Sequence, residues 1–180
     1  MQTRAEAPAP TRRQPIRRQA LITSTSTASV LDWRDEWTLH IDFMDADHRR
    51  LARQIRRIAA HVDRLKPDRP LPARLLDDLA GLAALAKFHF AREEEIMQAA
   101  AYPHLDHHRD EHAVLLGECE SLVADARTGR VDWSDLALLP SLEHWLVAHV
   151  LDDDRVLARY LRRCGMTAMA PQTALLLPDS

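Results

Sequence analysis

The chain has 180 residues, 46% of them hydrophobic and 28% charged, with a formal net charge of −3. That length and balance describe one globular domain with enough apolar matter for a core, and the lack of overall basic character excludes the electrostatic footprint of a nucleic-acid binder. Two isolated cysteines, Cys119 and Cys164, exclude a disulfide framework and a zinc-thiolate site, and no apolar run nears the roughly 18 residues of a membrane span, so a cytoplasmic protein without a membrane partner is expected.

Residues 1–30 carry Arg4, Arg12, Arg13, Arg17 and Arg18 against one acid, Glu6, with three prolines and a Ser/Thr run from Thr23 to Ser29. Such a segment cannot bury enough apolar surface to order itself, and it reads as a disordered basic arm ahead of a folded domain at 31–165. Trp33 and Trp37 come next and would cap one end of that domain. The first helix is announced by Met44, His48, Leu51, Ile55, Ile58, Val62 and Leu65, whose alternating steps of four and three keep one face in register. Pro67, Pro70 and Pro72 end it and open the second, where Leu75, Leu79, Leu82, Ala86, His89, Glu93 and Ile96 repeat the rhythm. Pro103 breaks that helix. The third carries His108, His112, Leu115, Cys119, Leu122 and Ala126 on one stripe and closes at Gly129. After a loop through Trp133, Leu138, Leu142, Trp145, His149 and Val156 supply a fourth face, with Pro140 in its first turn or at a kink just before it. Residues 166–180 sustain no period and read as a loose tail.

Four amphipathic helices joined by short connections pack most simply as an all-α, antiparallel up-down-up-down four-helix bundle, whose cofactor sites are built from inward side chains on facing helices. The start of the first helix, the end of the second and the start of the third then share one end, so the polar residues on the stripes converge. They are His48, His89, Glu93, His108, His112, His149 and an aspartate of the run Asp152-Asp153-Asp154. Leaving seven such groups unpaired at roughly 2–7 kcal/mol each would exceed the roughly 5–15 kcal/mol that holds a domain together, so something must bind them. Seven ligands exceed one metal's needs and suit a pair sharing carboxylates. Their nitrogen and oxygen character suits iron, manganese or zinc. For the last ligand, ideal helix geometry favours Asp153, because five residues beyond His149 lies about 140° round the axis.

Four stretches resemble, in this order, the bacterial single-domain hemerythrins: Asp45-Ala46-Asp47-His48; His89-Phe90-Ala91-Arg92-Glu93-Glu94-Glu95-Ile96-Met97; Tyr102-Pro103 leading to His108 and His112; and Trp145-Leu146-Val147-Ala148-His149 with Asp154. The resemblance they carry covers residues 33–161. The resemblance implies a non-haem di-iron centre, with His108, His112 and His149 on one iron and His48 and His89 on the other. Glu93, Asp154 and an oxo or hydroxo group would bridge the two. It implies an open position for dioxygen on the two-histidine iron, with oxygen carried for storage, delivery or sensing rather than consumed. It also selects Asp154 over Asp153, which requires a local widening of the fourth helix such as a π-type turn. An apolar oxygen pocket then follows by helical offset from these ligands: Ile55, Ile96, Leu115 and Trp145.

Two other classes are compatible with the same ligands: a di-iron oxidase or peroxide- or nitric-oxide-reducing protein, and a metal-storage bundle. Ferritin-like di-iron sites use Glu-x-x-His pairs, and no glutamate of this chain has a histidine three residues later. His40, His61, His104, His107 and His144 fit no stripe and read as surface residues; Glu94 and Glu95 read as solvated neighbours of Glu93. Cys119 reads as a small core hydrophobe. The expectation is a monomeric oxygen-binding protein rather than an enzyme.

Overall fold

The computed structural model describes residues 33–62, 64–65, 71–130 and 139–172. The basic arm expected at 1–30, Pro67 and Pro70, the loop through Trp133, Leu138, and the end of the chain beyond residue 172 lie outside those residues. All regular structure among the described residues is helical: a 3-10 turn at Asp35–Trp37, α1 (Asp42–Val62), α2 (Ala73–Ala99), α3 (Leu105–Arg127), α4 (Leu139–His149), a π turn (Val150–Asp154) and α5 (Arg155–Arg163). His149 and Arg155, at the two joints of the π turn, keep right-handed helical backbone, so α4, the turn and α5 form one rod. Pro140 falls in the first turn of α4, where its missing N–H costs nothing. Four rods thus make a four-helix bundle.

The alternating four-three stripes become the core. On α1, Met44, Leu51, Ile55 and Ile58 are sealed from solvent, and on α2 so are Leu75, Leu79, Leu82, Ala86 and Ile96. Each large side chain buried this completely contributes about 1.5–3 kcal/mol. Helix α3 is the least buried rod, with Cys119 and Ala126 inside and Leu115 and Leu122 half-covered against the same core. Among the described residues, no helix is long and apolar enough to cross a membrane.

The fourth rod departs from the expected stripe at one position. Val156, seven residues past His149, is 37% exposed, whereas Leu157 beside it is 0% exposed. The π turn explains the shift, because its i→i+5 winding inserts one extra residue and moves every later position on by one. The same slip carries the inward place from Asp153 to Asp154.

One end of the bundle is tied together by side chains that answer backbone groups on other elements. The Asp45 carboxylate accepts from the N–H of Leu39 at 2.7 Å and of His40 at 2.9 Å, which holds the chain entering α1. Tyr160 on α5 donates to the Ala100 carbonyl at 2.9 Å, in the turn between α2 and α3. Arg155 donates to the Glu36 carbonyl at 2.8 Å and Arg162 to that of Leu39, so α5 also grips the segment before α1. The turn itself places Ala101 at φ 49° and closes with a bond from the Tyr102 N–H to the Met97 carbonyl, 2.9 Å long. All four rods are pinned at the end that carries the polar cluster.

Past Gly165 the chain stays on the bundle: Met166 and Met169 pack against the core, and the Gln172 N–H reaches Glu95. At the opposite end of α1 and α2, a smaller polar group forms where the sequence showed only an ordinary surface histidine. His61 is half-buried with Nδ1 2.9 Å from Asp78, and Gln54 donates to the Asp78 carbonyl at 2.7 Å.

Removing the Asp45 carboxylate leaves two backbone N–H groups without an acceptor. Asp45→Ala is expected to cost about 2–4 kcal/mol, two charge-assisted bonds at about 1.5–3 kcal/mol each being partly replaced by water. Urea unfolding measures this; a midpoint equal to that of the parent chain would contradict the tie.

Candidate metal centre

Helix α1 brings His48 to the interior, α2 brings His89 and Glu93, α3 brings His108 and His112, and the fourth rod brings His149 and Asp154. All seven are buried, at no more than 5% exposed. Their ligand atoms form two groups, each lying within 4.8 Å: Glu93, His108, His112, His149 and Asp154, and His48, His89, Glu93 and Asp154. The groups share both carboxylates.

Each shared carboxylate divides its oxygens between the two groups. Glu93 Oε1 faces His89 Nε2 at 3.5 Å, while Oε2 faces His112 Nε2 at 3.3 Å and His108 Nε2 at 3.8 Å. Asp154 Oδ2 faces His48 Nε2 at 3.2 Å, while Oδ1 faces His108 Nε2 at 3.2 Å and His149 Nε2 at 3.3 Å. The nitrogens also face one another, His48 Nε2 to His89 Nε2 at 3.0 Å and His112 Nε2 to His149 Nε2 at 3.2 Å.

Ordinary hydrogen bonding does not satisfy this arrangement. None of the four carboxylate oxygens of Glu93 and Asp154 has a hydrogen-bond partner, and neither does His108 Nε2. Unprotonated nitrogens and carboxylate oxygens aimed at one another repel unless a proton or a metal cation lies between them. Ligand atoms about 2.1 Å from one ion and at right angles to each other stand about 3 Å apart, and the closest contacts across the cluster have that spacing. The ligand set fits a pair of metal ions, without thiolates and with nitrogen and oxygen only.

Comparison with known proteins points the same way. A profile of the Hemerythrin HHE cation binding domain matches residues 39–161. The chain belongs to the hemerythrin family. It is 29% identical to a bacteriohemerythrin of Stenotrophomonas maltophilia over 130 residues, covering 72% of this chain and 80% of that one. It is 28% identical to a bacteriohemerythrin of Ralstonia nicotianae over 143 residues, covering 77% and 94%. A crystal structure of a hemerythrin point variant superposes with a TM-score of 0.61 at 21% identity, covering 73% of this chain and 97% of that one, which shows the shared fold.

Several contacts in this hemerythrin-family site have weak sequence signals. Phe90 stacks on His112, ring centroids 4.0 Å apart and 13° from parallel, and its edge meets His149 at 5.8 Å. Phe90 lies four residues after Ala86 and three before Glu93, so helical offset would have found it. Trp33 stacks on His48 at 6.0 Å and meets Trp37 edge-on at 5.7 Å, closing the flank of the cluster. Of the residues expected to line an oxygen pocket, Ile55 and Ile96 lie sealed in the core, and Leu115 and Trp145 are half-covered. Trp145 reaches the cluster's edge through Phe90, 6.3 Å away. Glu94, read as solvated, instead meets the His112 ring at 3.2 Å.

Burial decides the charges. It lowers His89 to about 4, partly offset by Asp47, and it pushes His112 far lower still, helped by His149 and His108. Both rings are neutral at pH 7. Burial also lowers His149, but Asp154 and Asp153 outweigh it and leave that ring raised. Burial and the neighbouring Asp154 raise Glu93 well above the usual carboxylate range; burial pushes Asp154 up too, but His149, His108 and His48 hold it well below that range. Without a cation, the pair favours a proton on Glu93 and the charge on Asp154.

These shifts set the pH response of the metal-free chain. Between the unfolded histidine value of about 6.5 and the folded value of about 4 for His89, the unfolded state takes up protons on His89 and His112 that the folded state refuses. Glu93 and His149, both raised, act in the opposite sense and offset part of that uptake. Stability is therefore expected to fall as pH drops through this window, by up to about 1.4 kcal/mol per unit for one net proton. Urea midpoints after chelation, taken at pH 6.5 and pH 4.5, measure it. A midpoint that rises on acidification would contradict the assignment.

Proposed function

We propose that this chain holds two iron ions between Glu93 and Asp154 and binds dioxygen reversibly, for storage or delivery, as a binding protein rather than an enzyme. The observation that carries this reading is the division of each carboxylate's two oxygens between a three-histidine group and a two-histidine group. The bacteriohemerythrin names of its relatives support it. On this reading His108, His112 and His149 hold one ion and His48 and His89 the other, with Glu93, Asp154 and an oxo or hydroxo group shared. When bound, the pair supplies the reversible redox chemistry that takes up dioxygen and gives it back.

The rest falls to the protein. The two-histidine side would have one protein ligand fewer, and a small diatomic molecule would take the position left there. Trp33 over His48 and Phe90 over His112 cover the flanks of the cluster and keep water from the inner rings. Ile55, Ile96, Leu115 and Trp145 are the apolar lining that admits an apolar gas and excludes acids. Neutral His89 and His112 offer lone pairs without first losing protons. Asp154 favours its charged form, and Glu93, held toward its neutral form by burial and by Asp154, would release a proton to hold a cation.

Two measurements test this reading. The purified chain, loaded with ferrous iron, is expected to develop a visible absorption band on aeration that disappears when oxygen is removed, over repeated cycles. Rapid and irreversible oxidation would contradict carriage and mark an oxidase. Leu115→Asn is expected to hasten autoxidation several-fold by admitting water; an unchanged rate would remove Leu115 from the pocket.

A further inference from the structure

Three histidines of the cluster have an acid on the ring nitrogen that points away from it. His112 Nδ1 meets Glu94 Oε1 at 3.2 Å, His149 Nδ1 lies 3.4 Å from Asp153 Oδ2, and His89 Nδ1 lies 3.9 Å from Asp47 Oδ2. Of the three, the His112–Glu94 contact has hydrogen-bond geometry; Nδ1 of His89 and Nδ1 of His149 are buried without a formed partner, with Asp47 and Asp153 the acids beside them. In each ring the opposite nitrogen, Nε2, is the one turned toward Glu93 and Asp154. Two of the acids are themselves held from outside. Glu94 accepts from Arg109 Nε at 3.1 Å, and Asp47 accepts from Arg92 and from Arg50, the latter at 3.1 Å.

A neutral imidazole carries one proton on either nitrogen. An acceptor at Nδ1 keeps the proton there and frees the Nε2 lone pair, and it also fixes the plane of the ring. We propose that Glu94, Asp153 and Asp47 are positioning residues, which lock the tautomer and orientation of His112, His149 and His89 so that their Nε2 lone pairs point at the metal pair. Arg109 and Arg92 extend two of these chains to the surface. Glu94 and Asp153 each directly neighbour in sequence an acid facing the centre, so adjacent carboxylates serve opposite sides of the same rings. The three-histidine group receives two of these supports and the two-histidine group one. This inference rests on the reading of the cluster as a metal site.

The test uses the full chain and compares Glu94→Ala, Glu94→Gln and Asp153→Ala with Asp152→Ala, an exposed neighbour. Ferrous and zinc affinities are measured by competition with a chelator, and the histidine tautomers by nitrogen-15 shifts in zinc-loaded and metal-free protein. Glu94→Ala and Asp153→Ala are expected to weaken metal binding by about 10–100-fold, Glu94→Gln by less because its amide oxygen still accepts, and Asp152→Ala not at all. His112 is expected to hold its proton on Nδ1 in the parent chain and to lose that preference in Glu94→Ala. Parent-like affinity and an unchanged His112 tautomer in Glu94→Ala and Glu94→Gln would overturn the inference and leave the metal reading intact. If the parent chain itself takes up neither metal, the metal reading fails, and the metal-free nitrogen-15 spectra alone decide whether Glu94 sets the tautomer.

Discussion

Glu93 and Asp154 lie against each other in the driest part of the molecule, and no oxygen of either receives a hydrogen bond. Two carboxylates so placed cannot both keep their charge, because desolvation and mutual repulsion each favour protonating one of them. A pair of cations would remove the conflict: both acids would be neutralised, the five imidazoles around them would have an acceptor for their lone pairs, and the costliest region of the core would become strongly held. The rest of the bundle can be understood as the apparatus that maintains this crowding. Alternating stripes seal the rods along their length, and the ties from Asp45, Tyr160, Arg155 and Arg162 fix the end where the ligands meet.

The π turn is where fold and site depend on each other most directly. A regular helix after His149 would face Asp153 inward and direct Val156 at the core. The extra residue in the turn puts Asp154 between the histidine groups and Leu157 in the core instead, and it leaves Asp153 behind the His149 ring. A local loss of helical regularity thus supplies a shared carboxylate and, on the further inference above, a support for its histidine neighbour. Such a turn is sustained because α5 beyond it is held by Leu157, Ala158 and Leu161 in the core and by its arginine contacts to the chain before α1.

Much of this was legible in the sequence because a helix writes its buried face as a period. The stripes through His48, His89 and Glu93, and His108 and His112 needed only 3.6 residues per turn to be read as inward, and antiparallel packing then brought them to one end. Asp154 was not legible that way: the winding of the rod depends on what the whole fourth helix buries, and the family spacing, not periodicity, selected it over Asp153. Val156 was misplaced for the same reason. In the sequence Asp45 and Asp47 show only as parts of a motif and Glu94 only as a solvated acid, because their partners are a backbone turn, a distant arginine and the back of a ring. Those pairings are tertiary and leave no periodic trace. His61 with Asp78 belongs to the same class.

The account stands or falls on whether two ions sit between Glu93 and Asp154. Diffraction from crystals of the iron-loaded chain, recorded on both sides of the iron absorption edge, reports this without reference to activity. Two anomalous peaks are expected, one among His108, His112 and His149 and one between His48 and His89, with the two carboxylates reaching both. A single peak, or none within reach of Glu93 and Asp154 in protein shown to carry iron, would contradict the account.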